Sequence, residues 1–123
     1  MAFLPLAPIA AGLLGLTALV PAQPSASTFE LSSHDSAGRV AAVSLACDPT
    51  GGSHPKSDAA CASLARAGGD FAKLRPRKQA CTLIYAPVDV TATGTWRGEP
   101  VTFSASYGNR CAADSMSDGV FGF

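Results

Sequence analysis

The chain has 123 residues, and its nine Lys and Arg against nine Asp and Glu leave a formal net charge of zero. That length suits one domain, and the charge balance calls for neither a nucleic-acid partner nor an acidic lipid surface. The local exception is KLRPRK, with Lys73, Arg75, Arg77 and Lys78 in six residues. Four charges are few beside the patches that bind nucleic acid, so the run reads as a solvated loop kept open by Pro76 and self-repulsion.

In chain order, residues 1–26 (MAFLPLAPIAAGLLGLTALVPAQPSA) come first and carry no charged side chain. Pro5, Pro8 and Pro21 interrupt them, and the uninterrupted run from Ile9 to Val20 is short for a membrane span of ~20 residues. The most apolar part has the length of a secretory h-region, with small residues following it. Residues 1–26 are therefore read as a secretory signal peptide cleaved near 22 or 26, although the usual leading Lys or Arg is missing. Residues 27–123 remain as a single secreted, extracellular domain with no membrane attachment.

Residues 39–46, RVAAVSLA, read as a strand that Cys47-Asp48-Pro49 ends. After the loop TGGSHPK, Ser57 is the expected N-cap of a short helix, with Asp58 at the positive end of its dipole. Gly68-Gly69 supplies the stop. Cys61, Leu64 and Ala65 share one face at i, i+3, i+4 and are expected to point inward. The strongest β signal is later: Val88, Val90, Ala92, Gly94 and Trp96 alternate with Asp89, Thr91, Thr93 and Thr95. Arg97-Gly98 makes a turn, and Val101, Phe103, Ala105 and Tyr107 alternate on the return. That is a hairpin with one apolar and one wet face. The terminal GVFGF is expected to add a last strand through Val120, Phe121 and Phe123. The fold class is α+β: one antiparallel sheet with one or two short helices on a single face.

Four cysteines in a small exported chain point to two disulfides. A zinc site lacks support, since no C-x-x-C occurs and the two histidines are far from ligand spacing. Three connectivities are open. The sequential one, Cys47–Cys61 and Cys81–Cys111, is favoured because each bridge closes a modest loop that local structure can align. Such loops contribute about 3 and just under 4 kcal/mol by restricting the unfolded chain.

Catalytic patterns are missing. There is no G-x-S-x-G elbow, no carboxylate pair in an apolar setting and no phosphate-binding glycine loop. His34, in the polar stretch SSHDSAG, and His54, in a Gly/Pro loop, both read as exposed and incidental. Asn109-Arg110-Cys111 matches a rare glycosylation sequon, but Cys111 is needed for a bridge. The chain is read as no enzyme, with no cofactor and no metal.

What stands out is ACTLIYAPVDV, residues 80–90. Cys81 can tie the start of this stretch covalently to residue 111, just past the hairpin. Pro87 fixes φ at the other end and biases Ala86 toward an extended conformation. An extended segment clamped at both ends has little entropy left to lose on binding.

On SLACDPTGGSHP, ACASLARAGGD, CTLIYAPV, GTWRGEPVTF, SYGNRC and the terminal VFGF, the chain from Ser27 to Phe123 resembles the Streptomyces-type subtilisin inhibitors, secreted proteinaceous inhibitors of serine proteases. The resemblance implies a five-stranded antiparallel sheet with two short helices, a homodimer, and the cysteine pairing favoured above. It places the reactive-site peptide between Leu83 (P1) and Ile84 (P1′). Thr82 becomes P2, Cys81 P3 and Ala80 P4, with Tyr85 completing the protease-binding loop and Pro87 and Asn109 supporting it. Asn109 is implied to brace the loop from beneath, with its amide near the Leu83 carbonyl. The family commonly has proline at P2, so Thr82 gives up rigidity, and Ala80 is small for P4. The implied partners are subtilisin-like serine proteases, with chymotrypsin-like enzymes as a second class suited to an apolar P1. The alternative reading is a secreted binding or surface-interaction domain that uses the Thr/Ser face of the sheet.

Overall fold

In the computed structural model, which describes residues 2–5, 8–17 and 24–123, the alternation read between residues 88 and 107 forms the expected hairpin. Its strands, β3 (Val88–Trp96) and β4 (Glu99–Tyr107), pair antiparallel from Val88↔Tyr107 to Trp96↔Glu99. The turn puts both Arg97 (φ 47°) and Gly98 (φ 86°) in the left-handed region, whose twist matches that of the flanking strands. The strand expected at 39–46 is β2 (Val40–Cys47).

A fourth strand, β1 (Ser27–Asp35), was not legible in the sequence, yet it lies inside the sheet, whose order is β2-β1-β3-β4. Its buried side is Ser27, Phe29, Leu31 and Ser33, so only two of four inward positions are large and apolar. Phe29 stands opposite Leu45 on one neighbour and Gly94 on the other. A Cβ at Gly94 would run into the Thr28 carbonyl, and glycine there lets the two backbones approach. His34 is exposed, as expected, but on the outer face of β1.

Helix α1 (Ser57–Arg66) packs on β2 and helix α2 (Arg110–Met116) on β4. Ser57 is the first helical residue and not the cap; Lys56 holds that position without a side-chain bond. On α1 Leu64 is buried and Cys61 half-buried as expected, but Ala65 is exposed, and Ala60 and Ser63 are buried instead. At the C-terminus, Gly69 N–H donates to Leu64 O at 2.8 Å and Gly68 N–H to Ala65 O at 3.1 Å, which is the Schellman arrangement. Gly69 (φ 78°) also forms the floor under Trp96: a Cβ there would collide with the indole ring. Phe71, in a single 3₁₀ turn capped by Asp70, meets Phe29 edge-on at 5.2 Å and Phe103 at 5.6 Å. Each fully buried Leu (31, 45, 64) contributes about 1.5–3 kcal/mol.

Two further expectations are corrected. GVFGF is not a strand, so the sheet has four strands where about five were expected. Asp118 (φ 53°) and Gly119 (φ 87°) turn the chain, and the Phe121 N–H is taken by Ser117 Oγ at 2.9 Å. Val120 and Phe121 still enter the core. His54 is buried, not exposed: Nδ1 accepts from Lys56 N–H and Nε2–H donates to Val120 O, both at 2.9 Å. The two backbone partners together set the tautomer.

Both disulfides have the sequential pairing. Cys47–Cys61 joins β2 to α1 with Cα atoms 5.7 Å apart, and Cys81–Cys111 joins the loop before β3 to α2 at 5.6 Å.

Candidate functional site

Between the 3₁₀ turn and β3, residues 74–87 form no regular structure. From Gln79 to Pro87 this segment carries no charge. At its tip Leu83 is 101 % exposed, Ile84 68 % and Tyr85 82 %. Ala80 and Thr82 are exposed as well, while Cys81 and Pro87 are half-buried. Three consecutive large apolar side chains left in solvent contribute little to folding, because they are exposed in the unfolded chain as well; such a patch marks a site for a partner.

The tip is exposed and also held. Cys81 is bonded to Cys111 in the first turn of α2. Asn109, the N-cap of that helix, has extended backbone (φ −166°, ψ 176°), and its Oδ1 accepts from Ala112 N–H at 2.8 Å. The cap leaves the amide nitrogen facing the loop, where it donates to Thr82 O at 3.0 Å and Ile84 O at 2.9 Å. The amide thereby meets the carbonyls on either side of Leu83, whereas the resemblance placed it near the Leu83 carbonyl itself. No hydrogen bond among the described residues reaches that carbonyl. The outgoing limb is fixed by Ala86 N–H donating to Gly108 O at 2.8 Å, one residue before the cap.

Behind the loop lies a recess of about 290 Å³, lined by Thr82, Ile84, Ala86, Asn109 and the β1–β2 turn with Asp35 and Arg39. Asp35 closes that turn by accepting from Ala37 N–H at 3.0 Å and Arg39 N–H at 2.9 Å, and its other oxygen meets Arg39 Nε at 3.1 Å. The Arg39 backbone N–H is the main cause holding the Asp35 carboxyl below the ordinary carboxylate range. The Ala37 N–H and the Arg39 guanidinium add to it, against an opposing desolvation. Arg110, next to Asn109, has Nη2 3.7 Å from Asp35 and donates through Nη1 to Phe123 O at 3.1 Å.

All the loop residues singled out in the sequence therefore meet at one end of the molecule, together with Asn109 from beyond the hairpin. Sequence reasoning missed the Gly108 carbonyl, and it also missed Arg77 and Gln79, which reach Asp114 on α2. That partner lies 37 residues from Arg77 and 35 from Gln79, and no spacing rule connects them. Among the described residues no group of three or more His, Cys, Asp or Glu could hold a metal ion, and no helix is long and apolar enough to cross a membrane.

Comparison with known proteins agrees with this architecture. Residues 23–109 match the family model described as subtilisin inhibitor-like. The protease inhibitor SIL-V2 of Streptomyces orinoci is 43 % identical over 105 residues, covering 81 % of this chain and 96 % of its own. Subtilisin inhibitor-like protein 4 of Streptomyces lavendulae is 45 % identical over 84 residues, 67 % of this chain and 72 % of its own. Among solved structures, Streptomyces caespitosus sermetstatin, crystallised in complex with Bacillus licheniformis subtilisin, matches with a TM-score of 0.62 at 28 % identity. The match covers 79 % of this chain and 98 % of that one. The chain belongs to the subtilisin inhibitor-like family.

Proposed function

We propose that this protein is a secreted inhibitor of subtilisin-like serine proteases that acts by substrate mimicry, with Leu83 at P1 and Ile84 at P1′. The observation that carries the reading is the tip itself: a fully exposed Leu83 between two carbonyls held by one Asn109 amide, tethered within two residues by a disulfide. The loop enters the protease cleft extended, and its backbone pairs with the protease's edge strands. Leu83 fills S1, and its carbonyl, which accepts no hydrogen bond among the described residues, occupies the oxyanion hole. The protease's serine oxygen attacks the Leu83 carbonyl carbon and passes its proton to the histidine base. Collapse then breaks the Leu83–Ile84 bond, with that proton going to the Ile84 nitrogen. The tethers keep the new amine within reach of the acyl carbon, so reformation of the peptide bond outruns attack by water.

Secretion belongs to the same reading. The uncharged residues 1–26 are a signal peptide, and the side chains of Ile9, Leu13, Leu14 and Leu16 stand more than nine-tenths exposed, away from the core. Cleavage falls near Ala22, which lies outside the described residues, or near Ala26, leaving 27–123 as the mature domain. A homodimer is implied by the resemblance and is tested by the molar mass of the mature protein in solution. Chymotrypsin-like enzymes with apolar S1 pockets are a second target class.

The deciding experiment adds excess mature protein to subtilisin and follows cleavage of a chromogenic peptide. Inhibition is expected; unchanged cleavage sinks the reading and leaves a binding domain without a protease target. Leu83→Lys is expected to move inhibition toward trypsin. Wild-type-like inhibition of subtilisin with trypsin unaffected removes Leu83 from P1.

A further inference from the structure

Arg77 is the member of the KLRPRK run whose side chain reaches back across the chain to α2. Its Nη2 donates to Asp114 Oδ1 at 2.6 Å, and its Nε stands 4.0 Å from Asp118 Oδ1. The guanidinium lies over Gly119, where a Cβ would come within 3.5–3.6 Å of it. The backbone follows, with Arg77 N–H donating to Ser115 O at 2.8 Å. Gln79 Nε2 donates to the second Asp114 oxygen at 3.4 Å. Asp118 is fixed from the other side by Arg66 Nη2 at 2.9 Å. The expectation of a freely solvated loop is thus overturned at its centre: Pro76 and charge repulsion act on the run, but a carboxylate on α2 captures Arg77.

Together with the tethers already described, these contacts lie in one order. Asn109 holds the carbonyls of Thr82 and Ile84, Cys111 holds Cys81, and Asp114 and Ser115 hold Gln79 and Arg77. Residue numbers rise along α2 as they fall along the loop, so the incoming limb is laid antiparallel on the helix. The disulfide alone is a pivot, because one covalent link fixes a distance and not a direction. Thr82 adds little stiffness, since no ring locks φ at that residue.

We propose that Asp114 and Arg77 are a positioning pair that stops the incoming limb from swinging about the Cys81–Cys111 bond, and that this pair governs how long a protease stays inhibited, not which protease is inhibited. The inference rests on the inhibitor reading above. Once the Leu83–Ile84 bond is broken, Leu83 is an acyl group on the protease serine and Ile84 carries a free amine. Religation needs that nitrogen to attack the acyl carbon, reform the C–N bond and return the proton to the serine oxygen. Hydrolysis puts water in place of the amine. If the limb swings, the amine and the acyl carbon separate, and the advantage of a held nucleophile is lost.

The test uses mature protein and subtilisin. It measures complex lifetime and steady-state hydrolysis of the Leu83–Ile84 bond for wild type, Asp114→Asn, Arg77→Met and the double variant. Each single change is expected to raise hydrolysis and shorten the lifetime about tenfold, and the double variant to go no more than about twofold further, as for two members of one unit. The preference for subtilisin over trypsin should not move. Arg77→Lys should recover part of the lifetime, and the gap between wild type and Asp114→Asn should narrow in 1 M NaCl, where exposed ion pairs are screened. Lifetimes equal to wild type in Arg77→Met, which leaves α2 untouched, overturn the proposal even if Asp114→Asn fails to fold. Additive losses that only track the melting temperature also overturn it. A wild-type protein that does not inhibit subtilisin overturns the inhibitor reading itself.

Discussion

Asn109 performs two tasks with one side chain, and substitution by aspartate separates them. Its oxygen caps α2, accepting from Ala112 N–H at 2.8 Å, while its nitrogen holds the Thr82 and Ile84 carbonyls at 3.0 and 2.9 Å. Aspartate is as good an N-cap as asparagine, so Asn109→Asp keeps the helix start and removes both donors to the loop. Each lost hydrogen bond contributes ~0.5–1.5 kcal/mol net, hence ~1–3 kcal/mol for the two. At about 1.4 kcal/mol per decade, inhibition should weaken roughly 5- to 150-fold. A carboxylate oxygen facing two carbonyl oxygens places the result toward the upper end. Asn109→Ala loses the cap too, costing a further ~1 kcal/mol of fold stability and about 4–8 °C in melting temperature for a domain of ~100 residues. Titration against subtilisin gives the inhibition constant, chromatography follows cleavage at Leu83–Ile84, and circular dichroism gives the melting temperature. If Asn109→Asp inhibits within about twofold of wild type and is cleaved no faster, the double brace does not hold the loop.

The two disulfides should fail differently. Cys81→Ser with Cys111→Ser is expected to turn the inhibitor into a substrate, cleaved at Leu83–Ile84 while the sheet persists. Cys47→Ser with Cys61→Ser should cost about 3 kcal/mol of stability yet leave the loop resistant in what remains folded; the same cleavage pattern in both pairs would refute this division. Asp35 has a folded-state pKa below its ordinary 3.8, chiefly through the Arg39 backbone N–H. Its contribution is therefore present above pH 3.8 and lost as pH falls through the lowered folded value. The melting-temperature gap between wild type and Asp35→Asn should narrow on acidification below pH 3.8, and a gap unchanged between pH 7 and pH 2 would contradict it. Gly69→Ala combines a left-handed φ of 78° with a Cβ driven into Trp96, so it should cost more than the ~1 kcal/mol of an ordinary glycine conformational effect. Trp96 fluorescence should move toward that of an exposed indole during earlier thermal unfolding; a stability equal to wild type would rule out the tight floor.

The features that depend on short spacings were legible before folding. Alternation at period two made the β3–β4 hairpin and its buried face legible, because pleating puts every second side chain on one side. Gly68-Gly69 marked the end of α1 because few other residues accept the left-handed conformation that a Schellman cap requires. Cysteine parity in a small chain pointed to two bridges, and Cys81 and Pro87 bracketed the tip. Tertiary structure decided the rest. Strand β1 carries only Phe29 and Leu31 as large inward residues, so its pattern is weak, and its place between β2 and β3 follows from pairing on both edges. His54 is buried because the terminal segment folds over it and offers the Val120 carbonyl, 66 residues away. GVFGF looked like a strand because apolar runs are ambiguous in period, and Asp118 and Gly119 coil it instead. At the tip, exposure of Leu83 was legible only through resemblance. The bond from Asn109 to the carbonyls on both sides of it, and the capture of Arg77 by Asp114, depend on where α2 docks. Such contacts leave no periodic trace in a sequence, since their partners are brought together by the packing of the whole domain.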